Sequence, residues 1–164
     1  EFTALGIDIK CIFLMRDPFE RCLSAARMYL GRTPKSHALP IAPNTRVADA
    51  LATLYGASRF SSLTRYDLVL SRLLDVFKER QLFFGFFEEL FDTDTVHNLE
   101  SFLGLHPIPA QVDKFVNASG FKGEPVCEEL RAEIARHYRP VYEAVFDRFG
   151  EDRIRRIWPS AVFV

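Results

Sequence analysis

Apolar residues fall into a few short continuous runs and otherwise recur at helical spacing, and that division predicts the elements of this chain. Residues 9–15, IKCIFLM, form a run bounded by charge, the pattern of a strand buried on both faces in a parallel sheet. Asp17, Pro18 and Glu20 then supply an N-cap, a first-turn proline and the N3 carboxylate of a capping box, so a helix is expected from there to about Leu30, before Gly31. Residues 31–44, GRTPKSHALPIAPN, hold three prolines and are expected to form a loop long enough for a lid or substrate-facing segment.

A short helix is expected over 47–54 and a longer one over 62–78, where Leu63, Tyr66, Leu70, Leu73, Leu74 and Phe77 share a face. QLFFGFF at 81–87 predicts the second strand, its aromatic cluster assigned to the core, with alternation setting Glu88 and Glu89 on opposite faces. A helix capped by Asp92 or Asp94 follows, stopped by Gly104 with Pro107 beyond. After the turn-rich VNASGFKGEPV, the stripe Leu130, Ile134, Tyr138, Tyr142, Val145 and Phe149 predicts one long helix from about Cys127, kinked at Pro140 and closed by Gly150. Strand, helix, helix, strand, helix is an α/β order, and with two strands the parallel sheet is expected to be incomplete in this chain.

At 164 residues, 48% hydrophobic and 13% aromatic, the chain suits one soluble domain with its own core. The net charge of −1 conceals arginines near both ends and acids gathered in FFEELFDTD; it excludes a broad nucleic-acid face and leaves room for a small anion pocket. Three cysteines without paired spacing argue against a disulfide framework and a zinc site, and His37, His97, His106 and His137 sit on separate elements, so no metal is expected. A reducing, cytoplasmic setting fits, with no membrane contact from this segment because no apolar run reaches spanning length. The first strand begins so near the amino end that further sequence is expected upstream, and an anchor there would place the chain in the Golgi lumen instead.

The corner FLMRDPFERCLS, residues 13–24, concentrates the candidate chemistry. A helix N-terminus at the carboxyl end of a parallel strand favours anions through unpaired N–H groups and the helix dipole. Arg16 is placed to fork onto a phosphate and Ser24 to donate a hydroxyl; alternatively Arg16 and Arg21 pair with Asp17, Glu20 or another acid, and Ser24 merely packs. Rival motifs fail on spacing. GRTPKS lacks the glycine before lysine of a Walker loop; Cys11 with Arg16, and Cys22 with Arg27, are one residue too close for a cysteine phosphatase; and no histidine precedes Arg16 as a kinase catalytic loop requires.

RDPFERCLS resembles the Arg-Asp-Pro-x-x-Arg-x-x-Ser signature of sulfotransferases that use 3′-phosphoadenosine 5′-phosphosulfate (PAPS), in their bacterial and polysaccharide-modifying branches. RYDLVLSRLLDVF is similar to the helix before that family's second strand, QLFFGFFEEL and FLGL to the strand and following helix, and VNASGF and HYRPVYEAVFDRFG to its carboxy-terminal part. The resemblance spans residues 9–158. It implies a P-loop-nucleotide-hydrolase-like parallel sheet with flanking helices, Arg16 and Ser24 on the nucleotide 3′-phosphate, and Lys122 in the loop that closes over it; Arg21 is either a further ligand or a structural partner. Tyr66 is placed in the core, in a cleft wall or against the ligand. The implied reaction is metal-free transfer of a sulfonate to a hydroxyl or amine on a small-molecule or carbohydrate acceptor. The Lys-x-Gly-Thr loop that grips the 5′-phosphosulfate does not precede Ile9, and the catalytic base is expected from the same absent half. The stretch between Glu88 and FLGL also lacks the usual Asp-Pro helix start. A non-catalytic nucleotide-binding or interaction domain of the same fold is the alternative.

Overall fold

The computed structural model describes residues 6–31, 41–42, 45–107 and 124–164. Most of the expected loop at 31–44 and all of VNASGFKG, Lys122 included, lie outside the described residues. The chain is mixed α/β and mainly helical, with β1 (Cys11–Met15) and β2 (Leu82–Phe86) paired in parallel. The helices are α1 (Pro18–Leu30), α2 (Val47–Leu54), α3 (Ser58–Ser62), α4 (Tyr66–Val76), α5 (Thr93–Leu103), α6 (Glu128–His137), α7 (Arg139–Phe149) and α8 (Glu151–Ile157). Short 3-10 turns occupy Glu79–Gln81, Phe87–Glu89 and Pro159–Phe163. Among the described residues no helix is long and apolar enough to cross a membrane. The chain divides into two compact units, Glu1–Arg16 with Leu68–Phe115 and Asp17–Asp67 with Val116–Val164.

The first unit is built on the strand pair, in register from Cys11 opposite Leu82 to Met15 opposite Phe86. Gln81 extends the pairing by donating its side-chain amide to the Ile9 carbonyl at 3.1 Å. One sheet face is closed, with Met15, Leu82 and Phe86 buried. The other departs from the expectation of a strand covered on both sides, because Ile12 and Leu14 are 41% and 45% exposed. Their cross-strand partners explain part of this. Phe83, opposite Ile12, turns its ring to Phe102 of α5 at 5.6 Å, and Gly85, opposite Leu14, has no side chain to shelter it. A Cβ on Gly85 would come within 2.8 Å of the Leu14 Cδ2, so Leu14 leans into the space the glycine leaves.

α5 starts and stops where expected, although Asp92 holds the N-cap position without a side-chain bond to the first turn. Gly104 closes the helix at φ 72°, with Gly104 N–H donating to Ser101 O and Leu105 N–H to Glu100 O. This is the paired carbonyl closure that a left-handed residue allows. Lys10 adds its ammonium to the Phe102 carbonyl at 2.6 Å, a cation at the negative end of the helix.

The second unit packs helices around Phe19, Leu51, Leu54, Ile134, Tyr138, Tyr142, Val145, Ile154 and Trp158, all buried. Tyr142 and Trp158 meet edge to face with centroids 5.6 Å apart, a geometry worth about 0.5–1.5 kcal/mol beyond area burial. Here the long helix expected from Cys127 to Phe149 is two helices, not one kinked helix. Pro140 has no N–H and its ring would strike the Arg136 carbonyl, so α6 stops with Tyr138 at φ −95°, ψ 16° and α7 starts afresh with the proline in its first turn. The helix expected over 62–78 is also interrupted. Thr64 is buried and returns its hydroxyl to the Phe60 carbonyl at 3.1 Å, while Leu63 is left 64% exposed, so α3 ends before α4 begins at Tyr66.

Candidate functional site

The FLMRDPFERCLS corner is the end of β1 followed by the start of α1, and its polar groups have distinct surroundings. Asp17 is fully buried. Its Oδ1 accepts from Phe19 N–H at 2.9 Å, Glu20 N–H at 3.4 Å and the Tyr142 hydroxyl at 3.1 Å, and its Oδ2 accepts from Ser160 N–H at 2.8 Å. Pro18 has no N–H, and Arg21 N–H already bonds to the Asp17 carbonyl at 2.8 Å. Every donor of the first turn is therefore engaged within the protein. The expectation of an anion seated on unpaired N–H groups of this helix is corrected: Asp17 occupies that position itself. Burial, reinforced by the adjacent Asp17 carboxylate, pushes the Tyr142 hydroxyl far above its ordinary range.

Within the first unit, Arg16 follows the last residue of β1 and is half-buried. Its guanidinium carbon lies 4.4 Å from the centroid of the Phe87 ring. Phe87 opens the 3-10 turn after β2, is 42% exposed, and meets Phe91 edge-on with centroids 6.0 Å apart. Phe87 thus departs from the core position expected for the aromatic run. Because that turn begins directly after Phe86, strand alternation does not govern Glu88 and Glu89.

Within the second unit, Arg21 donates from Nη1 to the Phe60 carbonyl at 3.0 Å and to Thr64 Oγ1 at 2.9 Å. It ties α1 to the residues just before α4. The alternative in which Arg21 pairs with Asp17, Glu20 or another acid is not what these bonds show, since its acceptors are a carbonyl and a hydroxyl; Glu20 accepts from Arg131 at 3.3 Å. Cys22, beside Thr64 at 3.8 Å, is buried, and burial pushes its thiol up against the opposing effect of neighbouring hydroxyls and Arg21. Ser24 is exposed on α1, clear of the stripe Phe19, Cys22, Leu23 and Ala26 that the helix buries. Tyr66 is 4% exposed and lies 6.4 Å from the Trp158 ring, a core position.

Also in the second unit, a concavity of about 750 Å³ opens between the starts of α2 and α6, lined by Leu30, Arg46, Val47, Glu124, Cys127 and Leu130 among others. Arg46 is engaged there by Asp49 at 2.9 Å. The concavity includes none of Arg16, Arg21 or Ser24. Among the described residues no group of three or more His, Cys, Asp or Glu side chains is arranged to hold a metal ion. Phe87, assigned to the core with the rest of the aromatic run, lies just past the strand, where the chain turns it outward beside Arg16. No protein-family model, curated protein or solved structure matches this chain.

Proposed function

We propose that this chain carries the 3′-phosphate-binding half of a PAPS-dependent sulfotransferase, on a P-loop-nucleotide-hydrolase-like parallel sheet of which β1 and β2 are members. The observation that carries the reading is the RDPFERCLS signature at a strand-to-helix corner, with Arg16 just past β1 and Ser24 exposed on α1. Since Asp17 satisfies the first turn of α1, affinity for phosphate must come from side chains, and Arg16 is the cation on which the reading depends. Arg21 braces α1 through Nη1, and Lys122 is assigned to the loop over the nucleotide by resemblance alone. In the reaction, an acceptor oxygen or nitrogen bonds to sulfur as the sulfur–oxygen bond to the nucleotide phosphate breaks. The acceptor proton passes to a base, and adenosine 3′,5′-bisphosphate leaves. Acceptors are alcohols or amines, free or on a carbohydrate.

The test is binding of adenosine 3′,5′-bisphosphate to the 164-residue chain, by calorimetry and by thermal shift, with adenosine 5′-monophosphate as the control lacking the 3′-phosphate. The bisphosphate is expected to bind and the monophosphate to bind far less. Arg16→Ala should remove about 1.5–3 kcal/mol of binding, and Ser24→Ala about 0.5–1.5 kcal/mol. A cooperatively folded chain that ignores the bisphosphate, or binds both nucleotides alike, overturns the reading.

A further inference from the structure

Phe87 is a large aromatic side chain that the fold does not bury, and its ring is covered by a cation instead. The Arg16 guanidinium carbon is 4.4 Å from the ring centroid, well inside the range in which the ring quadrupole attracts a cation. Phe91 meets the ring edge-on, and the Leu90 N–H donates to the Phe87 carbonyl at 3.3 Å across the 3-10 turn. The turn that carries the ring is thus closed by a backbone bond, and a neighbouring ring meets it at its edge.

We infer that Phe87 is a positioning residue for phosphate recognition by Arg16, an inference that rests on the nucleotide-binding reading above. A mobile arginine loses several rotors when it grips a ligand, and that lost freedom opposes binding. An aromatic face against the guanidinium removes part of that freedom before the ligand arrives. The N–H donors of a guanidinium lie in its plane, and a ring face set against its central carbon does not compete for them as a hydrogen-bond acceptor would. Phe87 touches no phosphate in this account; it acts through Arg16.

Adenosine 3′,5′-bisphosphate binding is measured for the 164-residue chain carrying Phe87→Leu, Phe87→Met or Phe87→Trp, each also combined with Arg16→Ala. Phe87→Leu and Phe87→Met are expected to weaken binding by roughly two- to fivefold, the effect of a partly exposed cation–π contact. Phe87→Trp, which keeps a ring, should retain wild-type affinity. In the Arg16→Ala background the same changes at Phe87 should do nothing further, an outcome that a general structural role for the ring does not produce. Equal affinity of Phe87→Leu and wild type, equal loss in both backgrounds, or failure of Phe87→Trp to rescue overturns the inference while the nucleotide reading stands. A folded wild-type chain that does not bind overturns both.

Discussion

Both carboxylate oxygens of Asp17 are used inside the second unit, so this acid acts as a structural centre. Its partners come from three places along the chain: the first turn of α1, Tyr142 of α7, and Ser160 in the turn after α8. Replacing it by asparagine substitutes an amide NH₂ for one oxygen, which sets a donor against either the Ser160 N–H or the donors on the opposite side. A buried donor without an acceptor costs about 1–3 kcal/mol, and weakening the cap adds to it. Asp17→Asn is expected to destabilise the chain by about 3 kcal/mol in urea denaturation, and Tyr142→Phe, which removes one donor and leaves the others satisfied, by about 1 kcal/mol. Equal losses from the two would show that Ser160 and the first turn of α1 do not depend on the charge. Arg16 differs in kind, because its guanidinium meets an exposed ring at the surface of the other unit.

At the scale of elements, the ends that were readable are those with local chemistry. Asp17 and Pro18 start α1, and Gly104 stops α5, because each acts on its own backbone within a turn. Gly104→Ala tests this directly. An L side chain at φ 72° carries a steric cost of roughly 1–2 kcal/mol, so the variant should lose about 1 kcal/mol of stability and fray α5 at its carboxyl end, seen as faster amide exchange at Leu105. No change in exchange there would mean that the Lys10 contact holds the helix end by itself. What the sequence concealed depends on distant partners. Apolar periodicity runs unbroken through Pro140, yet the backbone cannot follow it, and α8 carries too few apolar residues to announce itself. β1 reads as buried on both faces because its run is continuous, whereas its real exposure follows from the residues opposite, Phe83 and Gly85. Phe87 shows the same limit, being indistinguishable in sequence from the aromatics preceding it. Its outward position arises only because β2 ends at Phe86.

Among the described residues, the buried ionisable groups with clearly raised pKa values, Cys22, Tyr138 and Tyr142, belong to the second unit and are held protonated, chiefly by burial. That common direction fixes the sign of the alkaline response. In the unfolded chain the thiol releases its proton near its ordinary 9.0 and the phenols near 10.0, while in the folded chain burial raises all three, the phenols furthest. Between those limits the unfolded state binds fewer protons than the native state, so stability falls as pH rises. The contribution is intact below about pH 8 and declines from about pH 9 upward, approaching about 1.4 kcal/mol per pH unit for Tyr142 once it is ionised in the unfolded chain. Urea denaturation at intervals from pH 7 to 10.5 should show this fall, steepening above pH 10 as the tyrosines join the cysteine. Tyr142→Phe, although less stable at neutral pH, should have the shallower alkaline slope, by about one group's share. Parallel slopes for Tyr142→Phe and wild type would mean that the Tyr142 hydroxyl ionises as readily in the folded chain as in the unfolded one, against its fully buried position beside Asp17.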